Sequence, residues 1–65
     1  MRIAAAVKEI RESRFWSRQR LADFADLNLR TLARVEQGRP VRTETLYRLN
    51  QALDGELLRL LEARE

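Results

Sequence analysis

The chain contains 65 residues, with 13 Lys and Arg against 10 Asp and Glu, and it has neither His nor Cys. A chain of this length forms one domain with a small core, which a dimer interface helps to stabilise. Without Cys and His it lacks a disulfide framework, a thiolate nucleophile and the commonest general base and metal ligands. We therefore expect no enzyme, no cofactor and no metal site.

All of the cationic side chains except Lys8 are arginines, whose forked donors suit phosphate and guanine. Most of them lie within residues 1–42, whereas the segment from Thr43 onward carries more acids than bases. This division favours a nucleic-acid partner for the N-terminal part. The first residues are charged too early for a signal peptide, and no apolar run approaches about 18 residues, so we expect a cytoplasmic protein without a membrane span.

The first two helices are predicted from apolar periodicity and a capping residue. Apolar residues at helical spacing, beginning with Ile3 and Val7, predict a first helix from about Arg2 to Ser13. Ser17 is suited to cap a second helix, because its hydroxyl accepts hydrogen bonds from free backbone N–H groups of the next turn. The inward residues expected in these helices are Ile3, Val7, Ile10, Leu21, Ala22 and Ala25.

Polar turn residues separate the second helix from a third. Asp26 and Asn28 flank Leu27 and predict a compact turn, since both residue types tolerate unusual backbone angles and bond the backbone locally. We expect Asn28 to cap the third helix and Gly38 to end it. The inward residues expected in this helix are Leu32 and Val35.

A polar loop over residues 37–42 leads to the last two helices. We expect Thr43 to cap a fourth helix, and Asp54 and Gly55 to end it. A fifth helix is predicted from about Glu56 to Ala63. Five short helices indicate one all-α domain over residues 1–65. The inward residues expected in the fourth helix are Leu46, Leu49 or Asn50, and Leu53.

Residues 18–37 meet the requirements of a helix-turn-helix that docks on DNA. Such a unit needs a small residue where its helices cross, apolar residues that fix the crossing angle, and an outward second helix. Ala22 is the small residue at the crossing. The apolar positions are Leu21, Ala25, Leu27, Leu32 and Val35, and the outward residues are Leu29, Arg30, Thr31, Ala33 and Arg34.

Five short segments together carry a resemblance to a known family. Residues 17–22 are similar to the opening of its first motif helix, residues 25–28 to its turn, and residues 31–38 to its recognition helix and stop. Residues 44–46 and 51–53 are similar to its fourth helix. In this register the chain resembles the Cro/CI-type helix-turn-helix proteins, the XRE family of phage repressors, restriction-modification controllers and antitoxins. The resemblance implies a compact five-helix, lambda-repressor-like DNA-binding domain.

The resemblance also implies roles for individual residues. Leu29, Arg30, Ala33 and Arg34 fall where the family reads base edges in the major groove. Arginine favours guanine there, and an apolar side chain suits a thymine methyl. Arg11 and Glu36 match a structural ion pair that joins the first helix to the end of the recognition helix. The residues that fall where the family contacts DNA phosphates are Ser17, Arg18, Asn28, Thr31, Gln37, Arg39 and Arg42.

Three positions depart from the family pattern. Asp26 stands where the family usually has glycine, and aspartate tolerates a left-handed backbone better than most residues. Phe15 also replaces a usual glycine, so it either accepts that conformation at a cost or changes the path of the loop. Arg18 replaces a usual glutamine, and we expect a phosphate contact of different geometry there.

These residues also have interpretations without a function. Arginines on the second motif helix and in the loop can be solvated surface residues. Phe15 and Trp16 are interpreted as core or staple residues rather than as platforms for stacked bases. Tyr47 is interpreted as a partly buried packing residue. Asp23 and Asp26 are three residues apart but have no further ligands, so they predict no metal site.

The fifth helix carries more leucine than one narrow apolar stripe requires. We interpret this surplus as closing the core and also forming a two-fold dimer interface around residues 56–63. Such a dimer places two recognition helices about one DNA turn apart. The predicted interface residues are Leu57, Leu58, Leu60 and Leu61.

The predicted function is a sequence-specific regulator that binds double-stranded DNA, acting as a homodimeric repressor at a roughly palindromic operator. One alternative is an antitoxin that binds a toxin protein and regulates its own synthesis. Another is a helical protein-interaction module that does not bind DNA. Salt-sensitive operator binding separates regulation from the second alternative.

Overall fold

Five amphipathic helices, joined by short turns, make up residues 3–63, the part of the chain that the structure describes. This computed structural model confirms the predicted all-α bundle; Arg2, the expected first residue of the first helix, lies outside the described residues. None of the helices in residues 3–63 is long and apolar enough to cross a membrane. The helices are α1 (Ile3–Ser13), α2 (Arg18–Ala25), α3 (Leu29–Glu36), α4 (Thr43–Ala52) and α5 (Glu56–Ala63).

Side-chain caps begin α2 and α3, as predicted. Ser17 Oγ accepts a hydrogen bond from the backbone N–H of Arg20 at 3.1 Å. Asn28 Oδ1 accepts from the backbone N–H groups of Arg30 at 2.8 Å and Thr31 at 3.3 Å. Both caps satisfy donors that have no partner within the first turn of a helix. Both capping residues are exposed, so the two helices begin at the molecular surface.

The predicted cap of α4 is wrong. Arg42 is the N-cap, with φ −72° and ψ 149°, and its side chain makes no capping hydrogen bond. An N-cap needs non-helical backbone angles, whereas Thr43 is already the first helical residue. The start of α5 is satisfied by a neighbouring helix instead, because Asn50 Oδ1 in α4 accepts from the backbone N–H of Leu58 at 3.0 Å. That bond is a polar contact between α4 and α5.

The core lies where the apolar sides of the five helices meet. The first helix packs against α3 and α5, and α2 packs against α3 and α4. Ala22 is completely buried, as expected of the small residue at the crossing. Leu46 and Asn50, two of the inward residues expected in α4, are only half-buried. The buried apolar residues are Ala6, Val7, Ile10, Leu21, Ala22, Ala25, Leu32, Val35, Leu49, Leu53 and Leu57.

Three non-glycine residues have a left-handed backbone: Phe15 (φ 59°), Asp26 (φ 57°) and Asp54 (φ 56°). Asp26 confirms that aspartate accepts the position at which the family usually has glycine. Phe15 accepts its glycine position as well, but its side chain is 96% exposed. The prediction that Phe15 is a packing residue is therefore wrong, because the turn places its ring outside the core.

The other aromatic residues near the surface differ in burial. Trp16 is half-buried and stacks on Phe24 with ring centroids 4.8 Å apart, and the Arg14 guanidinium lies 4.9 Å from the centre of the Trp16 ring. These contacts confirm the packing interpretation of Trp16. Tyr47 is exposed, contrary to prediction, and its hydroxyl accepts a hydrogen bond from Gln51 Nε2 at 2.9 Å on the surface of α4.

Candidate DNA interface

The turn between α2 and α3 is held by its own backbone and by α4. The backbone N–H groups of Asp26 and Leu27 donate to the carbonyl oxygens of Asp23 at 3.3 Å and Ala22 at 2.8 Å. From α4, Arg48 Nη1 donates to the carbonyl oxygen of Asp26 at 3.0 Å. These bonds keep the two motif helices in a fixed relation, which a helix docking in a groove requires.

The third helix has one apolar side and one basic side. Leu32 and Val35 fill its inward positions and are buried. Arg30 and Arg34 are exposed and four residues apart, so they lie one turn apart along one side of the helix. The residues predicted to contact DNA from this helix are exposed (Leu29, Arg30, Arg34) or half-buried (Thr31, Ala33).

The cationic side chains of residues 3–63 fall into two groups. Those in the first group have partners within the protein, although Arg18 uses only its Nε and stays half exposed. Those in the second group are exposed and have no ion pair or side-chain hydrogen bond within residues 3–63, which leaves their charge for an external anion. The first group is Arg11, Arg14, Arg18, Arg48 and Arg59. The second is Lys8, Arg20, Arg30, Arg34, Arg39 and Arg42.

A basic groove of about 440 Å³ lies between α3 and the start of α4. Arg34 of α3 lines it together with Arg39 and Arg42 of the following loop. Gly38, with φ 87°, lets the chain reverse after α3, and the Arg39 backbone N–H donates back to the Arg34 carbonyl at 3.1 Å. Among residues 3–63, no acidic residue lines this groove. The other lining residues are Thr31, Val35, Pro40, Val41 and Thr45.

A second cleft, of about 510 Å³, lies on the other side of α3. Leu29 and Ala33 of α3 line it, with Arg18 from the start of α2 and Lys8 from α1. No sequence pattern indicated a role for Lys8, the one lysine of the chain. The predicted base-reading residues are therefore flanked on both sides by cations. The remaining lining residues are Arg11, Glu12 and Gln19.

The ion pair predicted between Arg11 and Glu36 is present. Arg11 Nε donates to Glu36 Oε2 at 2.7 Å and Nη2 donates to Oε1 at 3.1 Å, while Nη1 donates to the carbonyl oxygen of Trp16 at 2.9 Å. Both side chains are almost inaccessible. The bidentate pair joins α1 to the end of α3, because the two residues are 25 positions apart.

Arg18 joins this pair through a contact that no sequence pattern indicated. Its Nε donates to Glu36 Oε1 at 3.0 Å. Burial of the Glu36 carboxylate raises its pKa, but the hydrogen bonds from Arg11 and Arg18 outweigh burial and bring the pKa below its usual value. The hydrogen bond with Glu36 also raises the pKa of Arg11. The only signal in the sequence was a charged residue at a position where the family usually has an uncharged one.

The remaining predicted phosphate contacts lie at the ends of the two motif helices. Ser17 and Asn28 are exposed, and each uses one oxygen to cap its helix. The Ser17 hydroxyl proton and the Asn28 side-chain amide remain as donors, because capping uses only an acceptor. Gln37 is exposed immediately after α3. These neutral donors and the arginines of the basic groove supply the contact types that bind DNA phosphates.

The leucines of α5 do not all belong to one surface. Leu57 is completely buried in the core, so its prediction as a dimer-interface residue is wrong: packing against the core already takes up its whole side chain. Leu58 is 41% exposed. Leu60 and Leu61 are half-buried against the core and keep part of their surface accessible. The available apolar surface of α5 is therefore smaller than its composition suggests.

The bundle, the fixed turn and the exposed basic helix define a helix-turn-helix DNA-binding domain. The chain belongs to the Cro/CI-type XRE family, since the family model described as helix-turn-helix matches residues 7–60. It is accordingly a DNA-binding transcription regulator, from a family that is generally not enzymatic. Comparisons with curated proteins and with solved structures found no match.

Proposed function

We propose that this protein is a dimeric, sequence-specific repressor that blocks transcription by occupying a roughly palindromic operator. One observation carries the proposal: Arg30 and Arg34 stand one turn apart on the exposed side of α3, with no ion-pair partner within residues 3–63. Arginines left unpaired on a helix that is rigidly held by its core face are suited to reading base edges.

The proposed base contacts come from α3. Arg30 and Arg34 each offer a forked pair of donors to the O6 and N7 acceptors of guanine. Leu29 is exposed beside them and suits a thymine methyl group, and Ala33 has room for a close approach of the base because its side chain is small. Each good bidentate contact discriminates by about 1–3 kcal/mol.

The proposed phosphate contacts surround this helix and set its register. Arg39 and Arg42 share the basic groove with Arg34, so the groove connects the base-reading side of α3 to the loop that follows it. Phosphate contacts give affinity and orientation but carry no sequence information. The proposed phosphate-binding residues are Ser17, Arg18, Asn28, Thr31, Gln37, Arg39 and Arg42.

The proposed dimer uses the accessible leucines of α5. Leu58, with the exposed edges of Leu60 and Leu61, forms a small apolar surface that a second copy can cover about a two-fold axis. Glu56 and Glu62 on the same helix are exposed and disfavour contact of this end with phosphates. Two recognition helices about 34 Å apart then match two half-sites one DNA turn apart.

Selection of binding sites from random duplex DNA tests the proposal. We expect an enriched motif with two inverted half-sites, guanines at positions that Arg30 and Arg34 reach, and affinity that falls steeply with salt. Absence of an enriched motif at low salt would contradict sequence-specific binding, and a single half-site would contradict the dimer.

One observation favours the antitoxin role as a second candidate function. The rings of Phe15 and Phe24 are exposed. Exposed aromatic residues in a domain this small suit a protein partner better than solvent. Co-expression with the product of the adjacent gene tests this role. The role is supported if this protein rescues growth that the gene product inhibits and the Phe15→Asp variant does not rescue it. Growth that this protein leaves unchanged contradicts the role.

A further inference from the structure

The carboxylate of Glu36 holds two arginines, and only one of them is needed to balance its charge. Its side chain is 2% exposed, and the bidentate bonds from Arg11, itself 9% exposed, already neutralise it. Arg18 adds a second cation through a single bond from Nε to Oε1. The cluster of these three residues therefore carries a net positive charge, located at the surface where Arg18 emerges.

Arg18 leaves most of its donors unused. Its side chain is 52% exposed, and Nε is its only nitrogen with a bond within residues 3–63. The two Nη atoms carry four N–H donors, and two of these point along the outer edge of the guanidinium. That edge has the spacing for two parallel hydrogen bonds to a phosphate group. Arg18 is thus anchored on one side and free on the other.

The location of Arg18 connects it to base reading. It is the first residue of α2 and follows the capping residue Ser17. It lines the cleft of about 510 Å³ that also contains Leu29 and Ala33. A phosphate bound at the Nη edge of Arg18 would lie beside these two residues of α3. Glu36 is the last residue of α3. It would then hold the Arg18 side chain, whose phosphate contact sets the register of the base-reading side of α3.

We propose that Glu36 is a positioning residue for DNA binding, which holds Arg18 by Nε so that its Nη edge meets a DNA phosphate. The inference rests on the proposed function and adds a role for the buried carboxylate beyond joining α1 to α3. A long arginine side chain loses rotamer freedom when it binds. Because Glu36 has already ordered Arg18 in the free protein, less of that loss remains for the binding step.

A double-mutant cycle between Glu36→Gln and Arg18→Ala tests the inference, with affinities for the selected operator measured over a range of salt. Arg18→Ala should weaken binding to operator and random DNA by about tenfold, the effect of one charge-assisted bond. It should lower the salt slope by about 0.9. Glu36→Gln should weaken binding when Arg18 is present and have no further effect in the Arg18→Ala background.

Equal effects of Glu36→Gln in both backgrounds, while the unchanged protein binds its operator, would overturn this inference alone. Failure of the unchanged protein to bind any duplex would overturn the proposed function as well. A measurement without substitution covers the case in which Glu36→Gln does not fold. The Nε–H signal of Arg18 in the NMR spectrum should be protected in the free protein and remain so in the DNA complex. Its loss on binding would show that Arg18 leaves Glu36 and would also overturn the inference.

Discussion

Arg11 and Glu36 form a bidentate ion pair at 2.7 Å and 3.1 Å in a chain of 65 residues. Neither side chain is more than 9% exposed. A buried pair of this kind contributes little compared with apolar packing, but loss of one member leaves the other charge without compensation. The stability of the domain therefore depends on keeping both members together.

Glu36→Gln should lower the free energy of unfolding by about 3 kcal/mol, the usual effect of breaking a buried pair. The neutral amide keeps the size of the side chain but leaves the Arg11 guanidinium without its counter-charge. Urea unfolding at neutral pH measures the change. Glu44→Gln is the matched control, since Glu44 is exposed and pairs with Arg48 on the surface of α4, so its loss should cost less than about 1 kcal/mol. Equal losses in the two variants would contradict the importance of the buried pair.

The same carboxylate should shape stability in acid. Its pKa is lowered in the folded protein, so the unfolded chain binds the proton more readily. The stability contributed by ionised Glu36 is therefore complete above the ordinary glutamate pKa of about 4.3 and is lost as the pH falls through its lower folded value. The free energy of unfolding, measured between neutral pH and about pH 2, should fall less steeply in acid for Glu36→Gln than for the unchanged protein. Equal slopes for the two proteins in acid would contradict this assignment.

The helices and the core of this fold could be predicted from sequence because their signals are local. Apolar residues at helical spacing placed Leu32 and Val35 inside, and the residue types at Ser17 and Asn28 identified two caps. The start of α4 was harder to predict from the sequence, because the helix can begin after either of two adjacent residues. Only the backbone angles of Arg42 decide between them.

One pair of the candidate site could be predicted from the sequence, but the contacts around that pair could not. The family pattern identified Arg11 and Glu36, yet the bond from Arg18 to Glu36 depends on how two helices approach each other, which no local pattern encodes. The leucine-rich α5 has no polar pattern that selects its inward side. The bond between Asn50 and Leu58 is tertiary, and it helps determine that Leu57 is the buried one.

Phe15→Gly should stabilise the protein by about 0.5–1 kcal/mol. A left-handed backbone costs an L-residue roughly 1–2 kcal/mol, and glycine avoids this cost at the expense of greater freedom in the unfolded chain. Little burial is lost, since the ring of Phe15 is 96% exposed. Asp26→Gly is the comparison and should gain less, because aspartate tolerates this conformation. Thermal unfolding checks both, and a lower midpoint for Phe15→Gly would show that the ring contributes to the fold.

The variants Arg34→Ala and Arg39→Ala should distinguish the reading of bases from the binding of phosphates. Loss of Arg34 should cost about 1–3 kcal/mol on the operator and relax the preference at one base position. Loss of Arg39 should weaken operator and random DNA alike and lower the salt slope by about one. The pair is well matched, since both arginines line the basic groove and are exposed. Equal losses on operator and random DNA for Arg34→Ala would contradict its reading role.

Leu58→Asp should separate the proposed dimer into monomers. A carboxylate at this exposed position introduces like charges at a two-fold interface and removes the most accessible leucine of α5. Operator affinity should then fall by about 100-fold or more, because the second half-site no longer benefits from linkage to the first. Sedimentation equilibrium measures the association state, and thermal unfolding verifies that the fold is retained.

Tyr47→Asp is the control for this experiment, since Tyr47 is also exposed and apolar but lies on α4. It should leave the association state and the operator affinity unchanged. A dimer that survives Leu58→Asp would place the two-fold contact on another surface. A dimer that is lost with Tyr47→Asp alone would move that contact to α4. With the contact on α5, two copies of α3 read the two half-sites in opposite directions, as a palindrome requires.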